Sequence, residues 1–341
     1  MKTPILLSLA LLLTAGSLLA QDTFSICAVD PETGEVGSAG ASCIDTDDCG
    51  GCGGVIIISG LIPGKGAVNS QATACIPNVN LNNALTQMEA GLSPQQIVDY
   101  LLGNDACQFG NTSNRQYGIV DLDDNGDPRS AAYTGFNCLD YKNHLTGANY
   151  AIQGNILLGQ QILDSIEQRF LNAEGPLAVR LMAALQGANV PGADSRCLDD
   201  GISSKSSYLR VARPEDTLGT LYLELNVPSV LPGVDPIDSL QSLFDEWLQT
   251  VDNEDIYIHS TQVKVYPNPV KDILVVEWLD TSVALPASAQ LFSADGRLLL
   301  QLPMSPERTE LDLQPLAAGN IYLLKVMNEN GQLLHSQKII R

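Results

Sequence analysis

Histidines, bases and aromatics are scarce in this chain, with three His, 18 Lys and Arg against 39 Asp and Glu, and only 5% Phe, Trp and Tyr. The histidines, His144, His259 and His335, stand far apart, which excludes a histidine-rich metal centre. HExxH and GxSxG are both absent, so neither a zincin nor an α/β-hydrolase has support. No nucleotide, flavin or pyridoxal motif occurs, and no cofactor is expected. Beyond residue 20 no apolar run is long enough to span a bilayer. The net charge of −21 repels nucleic acid and anionic membrane surfaces, and its usual meaning is solubility outside the cell.

What is present begins with an export signal. Met1-Lys2 is a short basic start, Ile5 to Leu13 an apolar core, and Ala15-Gly16-Ser17 with Leu18-Leu19-Ala20 supply small residues. Residues 1–20 are therefore expected to be a secretory signal peptide cut after Ala20. No cysteine follows the cut, so no lipoprotein anchor is expected. The remainder is long enough for two domains. Charge divides in the same way: residues 21–261 carry 31 Asp and Glu with 10 Lys and Arg, and residues 262–341 carry 8 and 7. The boundaries read as a first domain over 21–250, an acidic linker over 251–262, and a second domain over 263–341.

All eight cysteines, Cys27, Cys43, Cys49, Cys52, Cys75, Cys107, Cys138 and Cys197, lie in the first domain. In an exported chain an even number argues for disulfide staples, whose pairing sequence alone leaves open. Cys49-Gly50-Gly51-Cys52 has no second ligand pair at matched spacing, so a bridge is favoured over zinc. Asp121, Asp123, Asn125 and Gly126 match the first half of a calcium loop, but Ala132 stands where its last ligand belongs, and an acidic hairpin turn is favoured. Asp45, Asp47 and Asp48 read as a solvated loop.

The organising stretch is Thr23 to Cys43. Phe24, Ile26 and Ala28 alternate with Ser25, Cys27 and Val29 as in a strand, Asp30-Pro31-Glu32-Thr33-Gly34 supplies a turn, and Gly37 to Ser42 returns with almost no side-chain bulk. Small residues on a strand admit a close backbone or ligand. Further on, Gly54 to Gly60 reads as a buried strand and Ala67 to Cys75 as another. Helices are expected over Leu81 to Met88, from Ser93-Pro94 to Gly103, along Leu158, Ile162, Ile166 and Phe170, and from Pro176 to Leu185. Strands return at Ser206 to Arg213 and Gly219 to Asn226. Pattern alone gives an α+β domain.

The TFSI start, the PETGE turn and the small return strand resemble domain of unknown function 1028, a bacterial family grouped with the N-terminal nucleophile (Ntn) hydrolases. The likeness continues through RQYGIVDL (115–122), Thr134-Gly135, His144, YAIQGNILLG (150–159), LAVRLMAAL (177–185), GADSR (192–196) and DPIDSLQSLFDEW (235–247). It implies a four-layer αββα sandwich and places Thr23 where such hydrolases carry their nucleophile. In that chemistry the chain's own α-amine is the base for the hydroxyl, and an amide carbonyl is attacked. The resemblance further implies Asn155 as an oxyanion donor, Asp194 and Arg196 as an ion pair holding the site or a substrate charge, and His144 and Ser42 as polar contacts in the cleft. The expected function is a secreted amidohydrolase of a small amide.

Plainer readings stand beside these. Thr23 is an ordinary strand residue, Asn155 a turn or cap, Asp194 and Arg196 a surface pair, His144 a loop residue, and Ser42 a fit to small space. Cleavage after Ala20 leaves Gln21-Asp22 ahead of Thr23, whose nitrogen would then be an amide and no base. Either a second cut removes the dipeptide or the protein is a secreted, non-catalytic ligand-binding module of the same fold.

From Val263 the alternation in VYPNPVKDILVVEW, AQLFSADGRLLLQ and LDLQPLAAGNIYLLKV, joined by Asp-Gly and Asn-Gly turns, indicates a small Ig-like β-sandwich. The order YPNP, DGR, AAGNIYLLKV and a basic end resembles the C-terminal sorting domain of type IX secretion in Bacteroidota. That resemblance implies the type IX secretion machinery as a partner and a product secreted or held at the outer cell surface.

Overall fold

A computed structural model describes residues 23–72, 74–107, 110–217, 219–250, 263–279, 288–293, 297–305, 308–317, 319–328 and 333–341. The expected signal peptide, the linker, His259, and the Asp295-Gly296 and Asn330-Gly331 turns lie outside the described residues. The chain divides into two compact units, Met1–Asp245 and Glu246–Arg341.

Two antiparallel sheets form the first unit. The six-stranded sheet holds β1 (Phe24–Val29), β2 (Val36–Ser42), β7 (Asn143–Thr146), β8 (Tyr150–Gly154), β9 (Ser206–Ala212) and β10 (Leu223–Val227), in the order β10-β9-β2-β1-β8-β7. The four-stranded sheet runs β3 (Ser59–Ile62), β4 (Gly66–Gln71), β5 (Gln116–Leu122) and β6 (Pro128–Thr134) in chain order. Helices α1 (Val79–Glu89) and α2 (Pro94–Gly103) pack on the four-stranded sheet, while α3 (Gln160–Asn172) and α4 (Leu177–Gln186) pack on the other. The two sheets meet through β1, β2, β4, β5 and β8. A fifth helix, α5 (Pro236–Thr250), begins in the first unit and runs past its boundary at Asp245.

Local chemistry accounts for these elements. Phe24, Ile26 and Ala28 are fully buried toward one side of β1, and Ser25, Cys27 and Val29 toward the other, because the strand is covered on both faces. Gly34 takes φ +74° to close the β1–β2 turn, which only glycine does without strain. Ser93 and Gln96 form a reciprocal capping box at α2, with Pro94 in its first turn. Asn125-Gly126 is a hairpin turn: Asp123 Oδ1 accepts the N–H groups of Asn125 (2.8 Å) and Asp127 (3.0 Å). Those bonds hold the Asp123 carboxyl below its usual pKa, and Asp121 is occupied by Arg129 at 2.9 and 2.6 Å. Both acids thus serve the turn. Asp45 likewise caps its own loop, accepting from Asp47 and Asp48 at 2.9 Å.

Two expectations are corrected. Gly54 to Gly60 is not one strand: Gly54–Ile58 is a 3-10 helix and only Ser59 begins β3. Gly53 and Gly54 sit at φ +94° and +80°, which ends an extended run, and Ile58 and Val55 bury against Tyr208 instead. Nor are all eight cysteines staples. Bridges join Cys43 to Cys197, Cys49 to Cys52, and Cys75 to Cys107. Cys27 lies between the sheets among Val29, Val36, Leu61, Ala67, Val120, Ala151 and Ala212, a cluster with no second sulfur. Burial raises its thiol pKa well above the ordinary value, so it stays a protonated small hydrophobe. Cys138 also stands outside the three bridges, its sulfur 3.4 Å from the Arg115 carbonyl.

In the second unit, β11 (Val263–Tyr266), β12 (Ile273–Trp278) and β15 (Thr309–Asp312) form one antiparallel sheet. A second runs β14 (Leu298–Pro303), β13 (Ser288–Ser293), β16 (Ile321–Met327) and β17 (Leu333–Ile340). Leu274, Val276 and Leu311 from the first sheet and Leu291, Leu324 and Val326 from the second share one core. Among the described residues no helix is long and apolar enough to cross a membrane.

Candidate functional site

Thr23 stands at the head of β1, with Phe24 paired to Ala41 on one side and to Gly154 on the other. One rung further, the register brings Ser42 and Asn155 to its two flanks. The Thr23 nitrogen donates to Asn155 Oδ1 at 3.2 Å, and the Asn155 nitrogen returns a bond to the Thr23 carbonyl at 3.1 Å. The Thr23 hydroxyl donates to the Ala41 carbonyl. Thr23 and Asn155 are both 0% exposed.

A second group meets them through Ser42. Asp194, also 0% exposed, accepts Arg196 Nε at 2.9 Å on one oxygen and Arg196 Nη2 at 2.6 Å on the other, and takes the Cys43 N–H at 2.9 Å. Arg196 Nη2 lies 3.5 Å from Ser42 Oγ. The Cys43–Cys197 bridge covalently joins the neighbours of Ser42 and Arg196. The surface-pair reading of Asp194 and Arg196 is thereby corrected: the carboxylate is buried, and removing its arginine would strand it. Leu157 bridges Asp194, and Ser195 N–H donates to the Ile156 carbonyl at 2.8 Å, so the Asn155 segment and the Asp194 segment are one assembly.

His144 is not brought into that cluster. It pairs with Gln153 on β7 and β8, and its Nδ1 lies 2.8 Å from Thr134 Oγ1. Half-burial lowers its pKa, which keeps the ring neutral at neutral pH.

Three glutamines that sequence reading passed over complete the surroundings. Gln71 Nε2 donates to the Thr23 carbonyl at 3.0 Å and to Gln116 Oε1 at 2.8 Å, while its Oε1 accepts Ser25 Oγ at 2.5 Å. Gln116 Nε2 donates to the Gly154 carbonyl at 2.9 Å, the Asn143 carbonyl at 3.1 Å and Thr134 Oγ1 at 2.9 Å. Gln153 Nε2 reaches Ser25 Oγ at 2.6 Å, in space that exists because residue 118 is glycine; a Cβ there would sit 1.8 Å from Gln153 Oε1. All three glutamines are fully buried. The available signal was an amide closing each short run of small and apolar residues, as in VNSQ and YAIQG.

The residues following two of the contacts are strained. Ala72, after Gln71, has φ +55°, and Ile156, after Asn155, has φ +53°. Such backbone costs about 1 kcal/mol or more for a non-glycine residue, and persists only where surroundings impose it. Among the described residues no group of three or more His, Cys, Asp or Glu is placed to hold a metal ion.

A model of a family of unknown function, DUF1028, matches residues 23–237. The chain belongs to the DUF1028 family. The matched segment opens on Thr23 and includes Ser42, His144, Asn155, Asp194 and Arg196. A second model, the secretion system C-terminal sorting domain, matches residues 264–341, so this DUF1028 protein carries an address for type IX export to the cell surface or the medium. It is similar in fold to the crystal structure of protein SPO2555 from Silicibacter pomeroyi, another DUF1028 chain, with 23% identity and a TM-score of 0.51. That similarity covers 69% of this chain and 92% of the other. No curated protein matches it.

Proposed function

We propose that this protein is a secreted amidohydrolase of the Ntn type, cleaving a small amide through Thr23. On this reading the first unit is the four-layer αββα sandwich of that superfamily, the second an Ig-like export tail, and the hydrolase domain expected over 21–250 loses Gln21-Asp22 to begin at Thr23. The observation that carries it is the pairing at the head of β1: a hydroxyl residue with Asn155 Oδ1 on its nitrogen, flanked by Ser42 and by the buried Asp194 carboxylate with its partly exposed partner Arg196.

Once Thr23 is the first residue, its α-amine takes the hydroxyl proton as Oγ attacks the amide carbonyl. The tetrahedral oxyanion accepts from Asn155 Nδ2, the C–N bond breaks, and the departing amine takes the proton from the α-ammonium. Water, deprotonated by the same amine, then releases the acyl group. An unperturbed α-amine pKa near 8 leaves a useful neutral fraction at neutral pH. The steps use no cofactor. Arg196, partly exposed beside Ser42, suits a carboxylate on the substrate.

A second reading, a non-catalytic ligand-binding module, draws on two facts. Gln21-Asp22 precede Thr23, and a separate cavity of about 410 Å³ lies among Asp45, Asp200, Ile202, Lys205 and Val230–Gly233. N-terminal sequencing of protein recovered from the producing cell's surface or medium decides between them. A chain beginning at Thr23, active on an amide panel and silenced by Thr23→Ala, is the expected result; a stable Gln21 start would sink the Ntn mechanism.

A further inference from the structure

The Thr23 carbonyl has more partners than a strand requires. The ladder supplies one donor, the Asn155 nitrogen at 3.1 Å. Gln71 Nε2 supplies another at 3.0 Å from the opposite sheet. A first residue at the end of a strand ordinarily frays, because nothing upstream holds it. Here a side chain crosses the gap between the sheets to hold that residue.

We propose that Gln71 is the positioning residue for Thr23, fixing the peptide plane from which the Thr23 Cα, and with it the hydroxyl and the α-amine, is presented to the substrate. The inference rests on the Thr23 reading above. Three observations carry it. Gln71 is fully buried, and its amide is oriented by partners on both atoms, Ser25 Oγ on the oxygen and Gln116 Oε1 on the nitrogen. That orientation is fixed further by Gln116, which sits opposite Gln71 in the β4–β5 register and is itself pinned to the Gly154 and Asn143 carbonyls. Finally, Ala72 is held at φ +55° directly after it, matching Ile156 at φ +53° after Asn155. The two residues that grip Thr23 from the two sheets are thus each followed by imposed, left-handed backbone.

The same chain of bonds gives His144 a place. It reaches Thr23 through Thr134, Gln116 and Gln71, and so supports the nucleophile at a distance instead of touching substrate.

A strained ester tests this without a known substrate. The full mature chain beginning at Thr23 is treated with a β-lactone and followed by intact mass across pH. Thr23 Oγ attacks the lactone carbonyl, the ring C–O bond breaks, and the hydroxyl proton passes by way of the α-amine to the departing alkoxide, adding the whole lactone mass. Wild type is expected to label with a rate that rises as the amine deprotonates. Gln71→Met is expected to slow labelling on the order of tenfold or more at every pH, since small misplacements of a reacting group carry such factors. Gln71→Glu, which brings a negative charge to the carbonyl of the residue that bears the amine, is expected to move the half-maximal pH upward by roughly one unit. Ala72→Gly, which relaxes the backbone and folds whatever the glutamine variants do, is expected to slow labelling several-fold. Val120→Ala, in the apolar region between the sheets, is the stability control and leaves the rate per folded molecule unchanged. A purely structural Gln71 would leave the labelling rate per folded molecule unchanged in Gln71→Met and Ala72→Gly. If Gln71 and Ala72 variants label with the wild-type rate and midpoint, the positioning role is overturned while Thr23 stands. If wild type beginning at Thr23 takes up no lactone, both fall together.

Discussion

Around Val29, Val36, Leu61, Ala67, Val120, Ala151 and Ala212 the two sheets of the first unit meet through aliphatic side chains, and small branched residues fill the gap by shape. At the opposite end of β1 the same gap is filled by Ser25, Gln71, Gln116 and Gln153, joined by hydrogen bonds of 2.5 to 2.8 Å. The apolar end is stabilised by removal from water, about 25 cal/mol per Å², and tolerates approximate fits. The amide end gains little net energy per bond but restricts the arrangements available, because each buried group left unpaired, as Gln153 Oε1 is among the described residues, costs about 1–3 kcal/mol. Stability and specification are thus divided along one strand, and Thr23 stands at the specified end.

The strongest way to break that division is from outside. Replacing both Cys43 and Cys197 by alanine opens a bridge of sequence separation 154 and is expected to lower stability by about 5 kcal/mol, read as a shift in denaturant midpoint. Hydrogen exchange should then rise first around Ser42 and Asp194, with the Val120 region still protected. Within the interface, Gly118→Ala tests the amide end by overfilling. Alanine ordinarily suits a strand better than glycine, yet here its Cβ must displace Gln153, and a loss of about 2 kcal/mol is expected. A gain in stability would mean that the glutamines rearrange freely, erasing the contrast.

The smallest expected effect is electrostatic. Burial lowers the His144 pKa below 6.5, so between 6.5 and the folded value the unfolded chain binds more protons. Stability is therefore unaffected by this group above pH 6.5 and is lost as pH falls below it. His144→Asn should flatten that slope by less than about 1 kcal/mol, seen as a smaller drop in Tm between pH 7 and 5.

How much of this was legible followed from which interactions are local. The β1–β2 hairpin, the helix pairs and the Ser93-Pro94 helix start are set by spacing and neighbouring residues, and they appear where the sequence placed them, except that α3 begins at Gln160 and leaves Leu158 exposed ahead of it. Gly54 to Gly60 misled because its apolar run is buried as a 3-10 helix, turned by Gly53 and Gly54. The eight cysteines misled because an even count says nothing of distance, and Cys27 is walled in by aliphatics. Of the site, Thr23, Asn155, Ser42, Asp194 and Arg196 do converge. His144 lies outside that cluster, and the glutamines escaped notice because their partners, carbonyls and side chains alike, stand on strands distant in sequence.

The Cys43–Cys197 bridge has a consequence for a protein exported to the cell surface or the medium, should a protease reach it. It makes one covalent ring of everything between those residues, including the α1–α2 pair, α3, α4 and both glutamine-bearing strands of the small sheet. A single cut in any loop within the ring leaves both fragments attached, free to rejoin, so a nicked molecule is still one molecule.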